Sequence, residues 1–253
     1  KDSFNGKFKR ISDDFINSII DVKWQGYWHK DVMDENIIKK FFYYLERFIQ
    51  KKIFKEKDTG ARYYKKTMYY ANPISHEEFL KKVKNYINEL IKVMNTKKEF
   101  MVLDQLVPPE NTSEFLKYFD DLKIIIVDRD PRDHYLLEKY EYGETWVPFQ
   151  DVKTYVKWYK LIRSHRKKEI IVEDSVMFVN FEDFIYDYEK TVEKVVLFCG
   201  IDKLQWTQKR KYFNPSISIK NTRKWLSYPQ AKEDIDYIEK HLSEYLINYE
   251  AEA

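Results

Sequence analysis

Two arginines, Arg129 and Arg132, stand where an apolar run gives way to charged residues. The run, Leu122–Val127, contains consecutive β-branched residues, which predicts a strand buried on both faces, as in the centre of a parallel sheet. Asp130 is a typical helix cap and Pro131 a typical first helical residue, so a helix should follow directly. Carboxyl ends of such strands bind ligands, and helix N–H groups beside two guanidinium groups make an anion site. The same residues also fit a structural ion pair, an arginine bound to Asp128 or Asp133, that ties strand to helix.

A second group of polar residues lies in a loop near the end of the sequence. The loop combines hydroxyl, amide and cationic side chains with one indole, at Ser218, Asn221, Arg223, Lys224 and Trp225. Phosphate recognition uses this mixture of donors, and an indole can stack on a base or anchor the loop. The pattern therefore indicates a phosphate-binding loop.

Aromatic residues are concentrated in the segment 23–30, which has two tryptophans, a tyrosine and His29 around one glycine. We expect a loop there, and a second loop at 57–70, where a turn precedes a basic, tyrosine-rich run. Flat aromatic surfaces bind sugars and bases, although buried aromatics are the commoner case. His29 fits a general base, a substrate contact or a hydrogen-bonded structural residue.

The scaffold for these residues is predicted to alternate strands and helices. Strands are expected at 100–103, 122–127 and 176–181. Amphipathic helices are expected at 34–55, 75–95, 112–119, 130–140, 151–168, 188–199 and 231–246. This order predicts right-handed parallel crossovers and an α/β fold with a doubly wound parallel sheet in a single domain, 1–253. The helices between about residues 31 and 97 are expected to form a helical insertion on the substrate side.

Composition narrows the possible functions. The chain has 253 residues, enough for a full sheet-and-helix core. Its 45 basic and 42 acidic residues leave a net charge of +3, so no strong field points to nucleic acid or membrane. The single cysteine, Cys199, excludes an internal disulfide framework and a cysteine-based metal cluster. No apolar run approaches the ~20 residues of a membrane span and no export signal is visible, so a cytoplasmic location is expected.

Three spaced segments resemble PAPS-dependent sulfotransferases. They are Arg129-Asp-Pro-Arg-Asp, Phe181-Glu-Asp-Phe, and Ser218-x-x-Asn-Thr-x-Lys-Trp, in the order found in that family. The resemblance covers about residues 100–225 and is to bacterial-type members that act on glycans or small molecules. It implies a P-loop-like α/β fold and sulfuryl transfer from 3′-phosphoadenosine 5′-phosphosulfate (PAPS) to a hydroxyl, without metal. The aromatic and basic residues near 24–70 would suit a glycan acceptor.

The resemblance also implies roles for the candidate residues that bind the nucleotide. Arg129 would hold the 3′-phosphate, with Arg132 beside it. The loop would close over the nucleotide with Ser218, Asn221, Arg223, Lys224 and Trp225. Family members often place a serine eight residues after the motif arginine, but Leu137 stands there.

The catalytic base of the family, usually His or Glu, follows the strand before the motif strand. Asp104 and Gln105 occupy that place in this sequence. Because glutamine cannot accept a proton, Asp104 is the candidate base, with Glu110 and His29 as further candidates.

The glycine-rich phosphosulfate loop of the family has no counterpart among the five glycines. We therefore expect upstream residues that carry one more parallel strand and that loop. Two other functions stay open. A P-loop-type nucleotide kinase would need Mg²⁺ and a carboxylate to hold it. A non-catalytic nucleotide-binding protein with a degenerate site would fit Leu137 and Gln105.

Overall fold

Most helices begin and end close to where the apolar spacing places them. The computed structural model describes residues 3–55, 64–94, 99–166 and 174–249. The chain divides into two units, 1–99 and 100–253.

The described residues of the first unit form a two-stranded antiparallel sheet and four α-helices. The helices are α1 (Phe8–Ile19), α2 (His29–Met33), α3 (Ile37–Lys52) and α4 (His76–Met94), and the strands are β1 (Val22–Gly26) and β2 (Lys66–Tyr70). Helices α1 and α4 pack through stacked rings of Phe15 and Tyr86, 4.7 Å apart. Ser75 Oγ accepts the N–H of Glu78 at 3.1 Å and so caps the start of α4.

The second unit contains a parallel pair of strands flanked by helices. Its elements are α5 (Thr112–Leu116), β3 (Ile124–Asp128), α6 (Pro131–Leu137), α7 (Val152–Arg166), β4 (Val176–Asn180), α8 (Asp183–Tyr186), α9 (Tyr188–Phe198), α10 (Pro215–Ser218) and α11 (Lys232–His241). A π-helical turn, 138–142, extends α6. Strands β3 and β4 pair in parallel with Ile124 opposite Val176, as the predicted crossover requires.

The core of the second unit lies between α6, α7 and α11. Ten side chains form it, Tyr135, Leu136, Val147, Tyr155, Val156, Tyr159, Ala231, Ile235, Ile238 and Leu242. These three helices therefore hold the segment that follows β3 at a fixed place. Among the described residues, no helix is long and apolar enough to cross a membrane.

Several predicted elements were wrong. Residues 100–103 form no strand, and Val102 is 92% exposed. Strand β3 is not buried on both faces, because Ile125 and Val127 are 36% and 55% exposed. The predicted loop at 23–30 contains most of β1, and the described part of the predicted loop at 57–70 contains β2. The segment 31–97 is accordingly not helical throughout. Within the described residues the parallel sheet has two strands, and the doubly wound sheet stays a prediction.

Candidate functional site

The turn between β3 and α6 has the predicted construction. The Asp130 carboxylate accepts the N–H of Arg132 at 2.9 Å, and Pro131 is the first residue of α6, which confirms cap and start. Arg129 stands in this turn, at the carboxyl end of the strand. Its carbonyl oxygen accepts the hydroxyl of Tyr159, on α7, at 3.0 Å. The backbone at Arg129 is thus fixed by the end of β3, the start of α6 and the neighbouring helix α7.

The Arg129 side chain lies half-buried between β4 and the C-terminal loop. Its Nη2 donates to the carbonyl oxygen of Asn221, and its guanidinium lies 4.5 Å from the ring centre of Phe181. The Nε atom is buried and has no hydrogen-bond partner. A buried donor without an acceptor costs stability unless a ligand supplies one. An anion such as phosphate would fit this group.

Arg132, the second predicted arginine, is held by protein groups. It is 8% exposed and binds both carboxylate oxygens of Asp130, with Nε–Oδ1 3.0 Å and Nη2–Oδ2 2.7 Å. Its Nη1 donates to Glu239 at 2.8 Å, and its guanidinium lies 3.6 Å from the ring centre of Trp225. Arg132 therefore forms a structural ion pair, but its partners are Asp130 and Glu239 rather than the expected Asp128 or Asp133.

The C-terminal loop joins the start of α6 through Asp133. This carboxylate is fully buried and accepts the N–H groups of Arg223 at 2.9 Å and Lys224 at 2.6 Å. Arg223 has φ +54°, a left-handed conformation that non-glycine residues rarely adopt. Consecutive N–H groups at such a residue form a concavity that binds anions, and here the anion is Asp133.

The other predicted loop residues take different positions. Lys224 Nζ lies 2.5 Å from Glu141, so its charge is paired. Trp225 packs on the core and lies 5.4 Å from the ring of Tyr249, so it anchors the loop. Ser218 ends the short helix α10, where its N–H donates to Asn214 O at 3.0 Å.

Buried carboxylates are the part of the site that sequence reasoning missed. Asp130, Asp133 and Glu182 are all 0% exposed. Glu182 accepts the N–H of Asp130 at 3.1 Å, and its second oxygen is buried without a partner. Burial, and after it the charge of Asp130, raises the pKa of Asp133 to about 7. Burial likewise raises the pKa of Glu182 to about 7. Both acids lie in segments with motif resemblance. Because charged residues are usually exposed, their burial could not be predicted from the sequence.

Helix α7 supports the site from the other side. Tyr155 donates to the carbonyl oxygen of Pro131 at 2.9 Å and also lies 3.0 Å from Nδ1 of His134. Arg163 binds Asp128, at the end of β3, at 2.6 Å. Burial, then the charges of Arg163 and Arg129, lowers the pKa of His134 to about 4, so this imidazole is neutral near pH 7. These partners could not be predicted from the sequence, because only the fold brings α7 to the turn.

The candidate bases are not brought together with Arg129 by any contact described here. Asp104 and Gln105 lie exposed in a turn, and Gln105 has φ +53°. Glu110 is half-buried, and its Oε2 is buried without a partner. His29 begins α2, where it is exposed, and belongs to the first unit.

An aromatic cleft lies beyond Phe181. The ring of Phe213 is 6.1 Å from that of Phe181 and stacks on Tyr188 at 6.2 Å with an interplanar angle of 10°. Phe213 and Tyr188 line the cleft together with Trp206 and Arg210. One ring thus separates the Arg129 guanidinium from a cleft whose walls suit a flat ring.

A parallel pair of strands with helices, and an arginine at the carboxyl end of one strand beside a helix start, define an α/β protein with a candidate anion site. A comparison with protein-family models agrees: the model of the sulfotransferase family matches residues 33–208. Because this match spans more than half of the chain, the protein belongs to the sulfotransferase family. The family implies a P-loop-like α/β fold and indicates transfer of a sulfuryl group to a hydroxyl-bearing acceptor. No curated protein and no solved structure gave a match.

Proposed function

We propose that the protein transfers a sulfuryl group from PAPS to an acceptor hydroxyl. The observation that carries this proposal is Arg129, whose buried Nε has no hydrogen-bond partner at the end of β3. A 3′-phosphate would supply the missing acceptor, and charge-assisted hydrogen bonds to guanidinium are among the stronger ones in proteins. Arg223 stands in the loop joined to the start of α6 and adds positive charge. The charge of Lys224 in the same loop is paired with Glu141, so its contact with the nucleotide stays a proposal. Ser218 and Asn221 remain proposed contacts of the nucleotide.

We assign Arg132 and Trp225 to supporting the site rather than to touching the nucleotide. Arg132 is saturated by two carboxylates, and its guanidinium occupies a face of the Trp225 ring. The purine is therefore better placed in the aromatic cleft, against Phe213 or Trp206. Leu137, at the position where the family often has serine, is 1% exposed and contributes no phosphate contact.

The proposed chemistry is in-line displacement. A base removes the proton of the acceptor hydroxyl, the oxygen attacks sulfur, and the bond from sulfur to the phosphate oxygen breaks. Cations that hold the donor offset charge on the leaving phosphate without a metal ion. A glycan is the acceptor that we favour, because Trp24, Tyr69 and Tyr70 of the antiparallel sheet are exposed aromatics.

Asp104 is the proposed base. Its exposed side chain is open to an acceptor, whereas the Glu110 Oε2 is sealed from solvent. Asp104→Asn should lower kcat by about 10²- to 10⁴-fold with little change in nucleotide affinity. Glu110→Gln is the matched control and should keep kcat. Steady-state kinetics with labelled PAPS measure kcat for both variants. A large loss in Glu110→Gln and none in Asp104→Asn would show that Glu110 is the base.

The proposal is tested by comparing nucleotides in thermal unfolding. Adenosine 3′,5′-bisphosphate, the product, should raise the melting temperature more than ATP with Mg²⁺. A ligand at about 100 times its Kd adds roughly 2.7 kcal/mol to stability, which such a scan resolves. A larger shift with ATP and Mg²⁺ would favour a nucleotide kinase.

A non-catalytic nucleotide-binding protein is the second candidate. The buried Leu137 favours it, because one phosphate contact common in the family is absent. Binding of the bisphosphate without turnover of PAPS over a panel of hydroxyl acceptors would support it.

A further inference from the structure

Asp133 joins two segments about ninety residues apart. The carboxylate lies in the first turn of α6, four residues after Arg129, and both N–H groups that it accepts belong to the C-terminal loop. The Tyr249 hydroxyl approaches the same carboxylate at 3.4 Å. No other carboxylate described in the site binds backbone of this loop.

The loop is bound at several successive residues. The carbonyl oxygen of Asn221 accepts from Arg129, and the Thr222 hydroxyl lies 2.7 Å from the hydroxyl of Tyr186. The next two residues then donate to Asp133. Because Arg223 is in the left-handed region, the loop conformation is strained and needs a partner that holds it. A buried carboxylate with two N–H groups is such a partner.

We propose that Asp133 is a positioning residue for the nucleotide, one that sets the loop 221–225 in its binding conformation by holding the N–H groups of Arg223 and Lys224. The inference rests on the proposed function. Asp133 does not touch the ligand, because its oxygens are turned to the loop backbone. The amides that it occupies are closed to a phosphate, so the loop contributes its side chains to the nucleotide instead.

Asp133→Asn is the variant that tests this. Asparagine has the same shape as aspartate but only one side-chain oxygen, so it can accept one of the two N–H groups. Its NH₂ group then faces the second N–H group, donor against donor. Calorimetric titration with adenosine 3′,5′-bisphosphate should show affinity reduced by ~10-fold or more, as loss of a hydrogen bond to a charged group implies. Glu138→Gln is the matched control: it changes another buried carboxyl that accepts a backbone N–H, that of Glu144 at 3.2 Å, outside the loop, and should keep the affinity.

The outcomes are distinguishable. A wild-type protein that does not bind the bisphosphate overturns the proposed function and this inference with it. Wild-type affinity in Asp133→Asn overturns the inference alone. An equal loss in Asp133→Asn and Glu138→Gln also overturns it, because the effect then follows from changing any buried carboxyl and not from the contact with the loop.

A second measurement covers a variant that fails to fold. In the wild type, the N–H groups of Arg223 and Lys224 should exchange slowly with deuterium, and more slowly still with the bisphosphate bound. The inference is supported if these N–H groups exchange slowly in the free protein and more slowly when the nucleotide is bound. Fast exchange, or exchange that the nucleotide leaves unchanged, overturns it.

Discussion

Arg129 and Arg132 are three residues apart, and their surroundings give them opposite roles. The Arg129 Nε is buried without a partner, whereas Arg132 binds Asp130 twice and Glu239 once. Removing Arg129 thus takes away a proposed contact of the nucleotide, while removing Arg132 leaves a buried carboxylate uncompensated.

Arg129→Ala should weaken adenosine 3′,5′-bisphosphate by about 2 kcal/mol, roughly 30-fold, because a charge-assisted contact is lost. Its unfolding temperature should stay near that of the wild type. Arg132→Ala should instead lower the free energy of unfolding by about 3 kcal/mol or more, since Asp130 becomes a buried, unpaired charge. Titration of both variants with the bisphosphate measures nucleotide affinity, and urea unfolding measures stability. If the two variants are equally destabilised, Arg129 has a structural role.

Glu182 makes stability depend on pH. Its pKa is raised to about 7 by burial, whereas an unfolded glutamate titrates near ~4.3. Between these values the folded protein holds a proton that the unfolded chain has lost. Stability is therefore largest below the unfolded pKa and falls as pH rises to about 7, by up to ~1.4 kcal/mol per pH unit.

Glu182→Gln should reduce this loss of stability between about pH 5 and pH 7. Urea unfolding across the range measures the slope. Glu189→Gln serves as the control, because this exposed carboxylate is paired with Lys209 at the surface. An unchanged slope in Glu182→Gln would show that Glu182 is ionised in the folded protein throughout.

The sequence could predict which residues form the site better than it could predict their partners. The cap at Asp130, the helix start at Pro131 and the polar loop at 218–225 follow from local chemistry. The partners of Asp133 lie about ninety residues away, and residue types alone do not say which carboxylate of a motif turns inward. A buried acid is rare, so the default expectation for Asp133 and Glu182 was exposure.

At the scale of elements, α7 acts as a support for the turn at Arg129. Tyr159→Phe keeps the ring that packs against Arg163, 3.3 Å away, and removes only the hydroxyl bound to the Arg129 carbonyl oxygen. It should cost about 1 kcal/mol of stability and weaken the nucleotide. Leu161→Ala, a 53% exposed position of the same helix, should change stability by less than about 0.5 kcal/mol. Similar losses in both variants would contradict a specific role for the hydroxyl.

Helices were easier to predict than strands, for a physical reason. An amphipathic helix is specified by its own spacing, so α3, α4, α7 and α9 lie close to their predicted bounds. A strand needs a partner that its own sequence does not name. Residues 100–103 are apolar but pair with no described strand, while Val22–Gly26 pairs with Lys66–Tyr70. The polar and aromatic content of those two segments resembled that of loops.

At the scale of the molecule, the contacts described around Arg129 all lie in the second unit, 100–253. Its core is formed by α6, α7 and α11 of that unit. A protein made of residues 100–253 should therefore fold and bind adenosine 3′,5′-bisphosphate with the affinity of the whole chain. Calorimetry on both proteins tests this, and a folded fragment that does not bind would show that residues before 100 contribute to the nucleotide site.

The contacts of Asp130 and Asp133 with the end of the chain also affect how the protein folds during synthesis. Ile247 donates its N–H to Asp130 at 3.1 Å, and the Tyr249 hydroxyl reaches Asp133, across 117 and 116 residues of sequence. Both carboxylates thus stay in water, or engage other donors, until residue 249 has left the ribosome. Closing so long a loop is slow compared with forming α6 itself. The nascent chain should therefore acquire its helices first, and the contacts of Asp130 and Asp133 with residues 247 and 249 only after residue 249 has emerged.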